Sequence, residues 1–402
     1  MALTSLGCGV CVPAGYLAAG VAAGLKGSGD LDLALVTSER RAAVAGMFTS
    51  NRAAAPPVHI SRARVRGGYA RGVVINAGCA NAMTGERGLR DAEQMAQEAA
   101  ACVGVPGTEM LVCSTGVIGT FLPMERVRDG VAAAAAALGR DDGTAARAIM
   151  TSDSHPKHAA VRHSDGWAVG GMAKGSGMVA PRLATMLTVV TTDARATPAD
   201  LRTALAGAVD QTLNTITIDG DTSTNDSVLA FANGAAEVEP ARDDLTAAIT
   251  AVCATLAEAI VADGEGATKL VRVGIAHAAN DDQARAAARS VAESLLVKCS
   301  LNGGEPIWGL VAAAIGQAQV DADFDRLTIA MGNVVLLDRG MPVEGAALAA
   351  ARGALLEREL RVDVDLASGS ASAEMLTTDL SQDYVRLNSQ LDWLPRETPR
   401  PS

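Results

Sequence analysis

Residues 185 to 192 alternate in character: Thr185, Leu187, Val189 and Thr191 share one face of an extended chain, and Met186, Thr188, Val190 and Thr192 share the other. The pattern predicts a strand. Comparable runs predict strands over 72–77, 110–115, 269–277 and 326–337. Between them, alanine-rich segments with helical spacing predict helices over 90–103, 123–138, 198–213, 243–262, 281–298 and 344–358. Strands and helices that alternate along the whole chain imply an α/β protein. No repeat of solenoid period is visible, and only 394–402, with three prolines in LPRETPRPS, reads as an unanchored end.

Composition narrows the function. With 402 residues, 49% hydrophobic and 20% charged, the chain buries a large core in two or more domains or layers. Aromatic residues make up only 2%, which argues against recognition by stacking on exposed rings. A net charge of -11 without a basic run argues against nucleic acid and anionic membranes as partners. The uncharged first 25 residues are broken by five glycines and Pro13, so they read as a loop and a buried strand of a cytoplasmic protein, with no signal peptide or membrane anchor. Seven cysteines, an odd number, fit reduced thiols. Cys8 and Cys11 form a CxxC that lacks the second pair of a zinc site and reads as two ordinary buried thiols.

The segment before the 185–192 strand, MAKGSGMVAPRLA, is punctuated for a special backbone. Gly175 and Gly177 permit angles barred to other residues, and Pro181 pushes Ala180 toward extension. Small Ala184 leaves its carbonyl open to the hydroxyl of Thr185. Attack followed by hydrolysis frees Thr185 as a new N-terminus whose α-amino group, of pKa roughly 7.7–8.0, serves as its own base. An ammonium such as Lys174 lowers that pKa further. The plainer reading of the same residues is a turn between two strands.

Other motifs dissolve. From Asp219, the sixth and twelfth positions are Thr224 and Ala230, which excludes an EF-hand. KGSG and GEGATK are not Walker A loops, and no GxGxxG stands at a strand-helix junction. His155, His158 and His163 read as a loop of surface histidines. No metal or cofactor is implied.

KGSGMVAPRLATML resembles the self-processing segment of the ornithine acetyltransferases, the glutamate N-acetyltransferases of arginine biosynthesis. The resemblance runs along nearly the whole chain through AGMFTSNRAAAPPV, VVINAGCANAMTGERG, MLVCSTGVIG, AIMTSDSHPK, IDGDTSTNDS, DGEGATK and YVRLN. It implies a layered α/β/β/α-type sandwich with a C-terminal α/β domain, cut between Ala184 and Thr185. The products, 1–184 and 185–402, are the family's α and β chains, and they imply a heterotetramer of two of each. By the resemblance Thr185 is the nucleophile, Thr115 and Gly116 form the oxyanion hole, and Thr151, Lys174, Glu265 and Asn388 contact substrate. The implied reaction moves acetyl from N2-acetylornithine to glutamate through acetyl-Thr185.

Two blocks depart from the family pattern. The position of its final hydroxyl residue holds Trp393, and its GNDPNWGR reads GGEPIWGL, placing Glu305, Ile307 and Leu310 at altered positions. These leave the nucleophile untouched and bear on donor and acceptor choice. They keep open a paralogue with another amino acid or acyl group, an amidase or aminopeptidase using the same threonine, and a scaffold that retained only the fold.

Overall fold

Along residues 110–113 the side chains enter two different cores in turn: Leu111 and Cys113 one, Met110 and Val112 the other. Val73 and Ile75 alternate with Val74 in the same way. These strands are covered on both faces, the middle of a layered fold. The computed structural model describes residues 3–7, 9–180, 186–343 and 345–389 and divides into two compact units. The first includes the chain to Asn214 and Asp221–Ile260; the second comprises Thr215–Gly220 and Val261–Gln390.

The first unit opens with β1 (Leu3–Leu6), β2 (Tyr16–Val21), β3 (Leu33–Phe48), α1 (Pro56–Val65), β4 (Tyr69–Cys79), α2 (Gly85–Cys102) and β5 (Met110–Val117). It continues with α3 (Met124–Ala136), α4 (Gly143–Ala148), β6 (Lys157–His163), β7 (Ala168–Lys174), β8 (Leu187–Thr192), α5 (Pro198–Gln211), β9 (Ser227–Ala232) and most of α6 (Arg242–Ala262). The strands form one sheet in the order β1-β6-β7-β8-β9-β3-β4-β5, with β2 beside β3. Pairs β4/β5 and β8/β9 are parallel.

Strand β3 makes two layers from this one sheet. Its residues Leu33–Thr37 pair with β2 and β4, its residues Ala43–Phe48 pair with β9, and the register shifts between Thr37 and Ala42. The two halves meet in one apolar core, where Val36, Ile75 and Leu111 from one half join Met172, Val189 and Leu229 from the other. On the outer face of the first half pack Met95 and Ala99 of α2 with Val127 and Val131 of α3. On the other half, Val252 and Leu256 of α6 press on Gly171. This is the expected α/β/β/α arrangement. Helix α6 is long and apolar enough to cross a membrane by length and composition, yet Ile249, Val252, Leu256 and Ile260 are all buried, as in a core helix.

The second unit holds β10 (Leu270–Ala278), α7 (Asp281–Ala292), α8 (Leu295–Asn302), α9 (Trp308–Gln317), β11 (Thr328–Met331) and β12 (Val334–Asp338). After them come β13 (Met341–Pro342), α10 (Ala346–Ala354), β14 (Glu359–Asp365), β15 (Ala371–Thr378) and α11 (Gln382–Ser389). Its sheet, β13-β12-β11-β14-β10-β15, packs Val273, Ile329 and Val362 with Ala288 and Val291 of α7 and Ile315 of α9. The opposite face carries an ion-pair lattice in which Arg361 bonds Asp363 at 2.8 Å and Glu374 at 2.9 Å. This unit is the C-terminal α/β domain.

Several sequence expectations need correction. The strand over 326–337 is the hairpin β11-β12, turning at Gly332 (φ 58°) and Asn333 (φ 64°), both left-handed as a tight hairpin requires. The helix over 281–298 is two helices, because the Ser294 hydroxyl accepts from Val297 N and starts a new one. His158 and His163 stand on β6 and not in a surface loop; His163 is buried and stacked on Trp167 at 5.0 Å. Cys11, expected as a buried thiol, is only half-buried. In the divergent block, Glu305 pairs with Arg352 at 3.0 Å and Leu310 packs against the core of the second unit. Cys8, Ala184, Thr185, Trp393 and the tail 394–402 lie outside the described residues.

Gly170 of β7 faces the backbone of the N-terminal segment, where a Cβ would lie 2.1 Å from Gly9 O. Gly170→Ala is therefore expected to lose about 1–3 kcal/mol or more in denaturant unfolding. Gly207→Ala on α5, whose Cβ meets nothing nearer than 3.5 Å, serves as the control and is expected to lose none. Equal behaviour of the two variants would contradict the close packing.

Candidate active site

Strand β7 delivers Lys174 to a buried position, 3% exposed, where the backbone turns through Gly175 at φ 155°. The side chain meets Asp153, itself 8% exposed, at 4.0 Å between Nζ and Oδ2. Asp153 is a hub. Its Oδ1 accepts from Lys157 Nζ at 2.7 Å and from Gly175 N at 2.7 Å, and its Oδ2 accepts from Thr151 N at 3.0 Å. Burial alone would raise its carboxyl, but Lys174, Lys157 and the Gly175 N–H together hold it down at about 2, so it is a carboxylate at neutral pH. Beside it the hydroxyls of Ser152 and Ser176 bond at 2.8 Å. One carboxylate thus fixes the backbone of Thr151, the turn after Lys174 and the charge of Lys174.

Thr115 and Gly116 stand in the last three residues of β5. Gly116 sits at φ 126°, and a Cβ there would lie 2.3 Å from the carbonyl carbon of Gly78, itself at φ 104°. Only glycine fits this close approach of two chains. Asn225 ties the corner down by donating to Ser114 O at 2.9 Å and Ala80 O at 2.6 Å. Burial raises the nearby thiols of Cys79 and Cys113, the latter to about 12, so neither supplies a thiolate at neutral pH.

The chain past residue 185 is held from two sides. Met186 N donates to Asp226 Oδ1 at 2.9 Å, and Met186 O accepts from Ser227 N at 3.1 Å. In the ladder, Leu187 stands opposite Lys174 on β7 and Ser227 on β9. Burial raises the Asp226 carboxyl well above its ordinary value, although the Met186 N–H, Lys174 and the Ser223 hydroxyl pull the other way. Thr115, Gly116, Thr151 and Lys174 therefore lie in the first unit, which also carries Met186 and Asp226.

Glu265 and Asn388 lie in the second unit, where the structure brings them together: Asn388 Nδ2 donates to Glu265 Oε2 at 2.7 Å. Helix α11 clasps the Glu265 loop. Ser381 Oγ donates to Gly266 O at 2.6 Å, and a Cβ on Gly266, at φ 67°, would meet Tyr384 N at 2.4 Å. Asp153, Lys157, Asn225 and Asp226 were missed by sequence reasoning, since an acid or amide among serines and threonines reads as a turn residue. No group of metal-ligating side chains occurs among the described residues.

The ArgJ family model matches residues 17–392. The chain belongs to the ArgJ family. The arginine biosynthesis bifunctional protein ArgJ of Mycobacterium bovis is 45% identical over 392 residues, 95% of this chain and 96% of its own. Its namesake from Symbiobacterium thermophilum is 46% identical over 392 residues, 94% of this chain and 97% of its own. Among solved structures, the ornithine acetyltransferase of Mycobacterium tuberculosis complexed with ornithine is 43% identical. That match has a TM-score of 0.44 and covers 45% of this chain and 98% of that chain.

Asp153 has an ordinary value of 3.8 and titrates at about 2 in the fold. Its contribution to stability is therefore complete above about pH 4 and lost as the pH falls toward 2. Asp153→Asn leaves two buried ammonium groups without their carboxylate and is expected to lose about 3–5 kcal/mol at neutral pH. Between about pH 4 and 2 its unfolding free energy should fall less steeply than that of the parent, by the uptake of one proton. Parallel curves for the two proteins would contradict the assignment.

Proposed function

We propose that the chain cleaves itself between Ala184 and Thr185 and then moves acetyl from N2-acetylornithine to glutamate on the freed Thr185. As a member of the ArgJ family it is an acyltransferase of arginine biosynthesis. The observation that supports the reading is that Asp226 holds the N–H of Met186, the second residue after the proposed cut, while Lys174 stands opposite Leu187, the residue after Met186.

In the first reaction Thr185 Oγ attacks the Ala184 carbonyl carbon, the C–N bond breaks, and the amine nitrogen takes the proton. Water then cleaves the ester and leaves Thr185 as an N-terminus. In the second, its amine removes the hydroxyl proton as Oγ attacks the acetyl carbonyl; ornithine departs with that proton on its α-nitrogen. The α-amine of glutamate reverses the sequence and leaves as N-acetylglutamate. Each tetrahedral oxyanion is met by Thr115 Oγ and Gly116 N–H, a term commonly worth about 10²–10³ in rate. Lys174 and Thr151 hold substrate carboxylate, and Glu265, oriented by Asn388, receives an ammonium. No cofactor enters the reaction.

The cut falls inside the first compact unit and not between the units. Residues 1–184 and 185–402 remain joined because β7 and β8 pair from Val169↔Thr192 to Lys174↔Leu187. The reading places the enzyme in the cytoplasm as two such pairs of chains.

Intact mass and N-terminal sequencing test the cleavage. Two fragments beginning at Met1 and Thr185 are expected, with Thr185→Ala remaining a single chain of 402 residues. An uncut parent chain, or a cut in Thr185→Ala, would contradict the proposal.

A further inference from the structure

Two consecutive buried side chains before β9 serve two different parts of the site. Asn225, 4% exposed, spends both amide hydrogens on the carbonyls of Ala80 and Ser114, the second one residue before Thr115. Its Oδ1 accepts from Thr224 Oγ1 at 2.6 Å, which fixes the orientation of the amide. Asp226, 1% exposed, gives Oδ1 to Met186 N at 2.9 Å. That nitrogen belongs to the peptide whose carbonyl carbon is that of Thr185.

The backbone around 226 does not depend on this carboxyl. The backbone at 226 is already secured by Thr49 N donating to Asp226 O at 3.0 Å, and β8 is already paired to β9 by Ser227 N donating to Met186 O at 3.1 Å. Meanwhile Asp226 Oδ2 is buried with no hydrogen-bond partner among the described residues. Burying a carboxyl whose Oδ2 makes no direct hydrogen bond is costly, even with the Ser223 hydroxyl and Lys174 favouring its charge. What the side chain supplies in return is an acceptor aimed at one buried N–H, that of Met186.

We propose that Asn225 and Asp226 are a positioning pair: Asn225 fixes the strand that ends in the oxyanion donors, and Asp226 fixes the peptide that follows the nucleophile. Because they are neighbours on one chain, the spacing between those two parts is set by a single dipeptide. A displacement of about 1 Å between reacting groups lowers rates on the order of 100-fold, so the pair acts on rate in both self-cleavage and acyl transfer. The inference rests on the reading of Thr185 as nucleophile.

The test uses the full chain with Asp226→Asn, which keeps an acceptor oxygen at the same reach, Asp226→Leu, which removes it, and Asp226→Glu, which moves it by one methylene. Self-cleavage is followed by intact mass, and the cleaved proteins are then assayed with N2-acetylornithine and glutamate. The Leu and Glu variants are expected to cleave at least about tenfold more slowly and to lose kcat by a similar factor, with KM for glutamate within about twofold. Asp226→Asn is expected to restore both rates to within about threefold of the parent. Parent rates in the Glu variant, or an Asn variant as slow as the Glu one, would overturn the proposal whether or not the Leu variant folds. A parent chain that cleaves while all three variants keep pace defeats the positioning role alone; a parent chain that stays uncut defeats the nucleophile reading as well.

Discussion

A carboxylate held between two ammonium groups inside a protein is stable only if every oxygen is answered, because removing three charges from water costs several kcal/mol for each. Asp153 meets that condition with Lys157, Gly175 N and Thr151 N in contact and Lys174 at 4.0 Å. Lys157 and Lys174 together offset the buried negative charge. The bend after β7, the backbone of Thr151 and the lysine facing the ladder all depend on this one group.

The second constraint is the close approach of two chains at Gly78 and Gly116. Because no side chain fits there, β4 and β5 end together, and Thr115 and Gly116 emerge at one corner of the sheet. Asn225 and Asp226 connect that corner with the start of β8. Neither structural unit ends where self-cleavage would cut. On the proposed reading, a cut between β7 and β8 frees an N-terminus while the paired strands hold the two pieces together.

Much of the fold could be read from alternation and from helix punctuation. Strands β4 and β5 carry the apolar runs GVVI and MLVC, and α5 announces itself with Thr197 as cap and Pro198 behind it. Strand β3 escaped because Ser38-Glu39-Arg40-Arg41 interrupts its apolar pattern where the chain bulges. Strand β7 escaped because Gly170 and Gly171 look like a loop; they are glycines because Gly9 and α6 press on either side. At the site, residue types named by the resemblance were visible as motifs. The groups that orient them were not, since what distinguishes Asp153 or Asp226 from a turn residue is the partner that folding brings from far along the chain.

The central claim is that acetyl passes through Thr185. Its most direct test is peptide mass analysis of the 185–402 fragment after incubation with N2-acetylornithine in the absence of glutamate. The account predicts one added acetyl group on the first residue of that fragment, formed as ornithine is released and discharged when glutamate is supplied. Transfer to glutamate with Thr185 never acetylated, or an acetyl group on another residue, would contradict it.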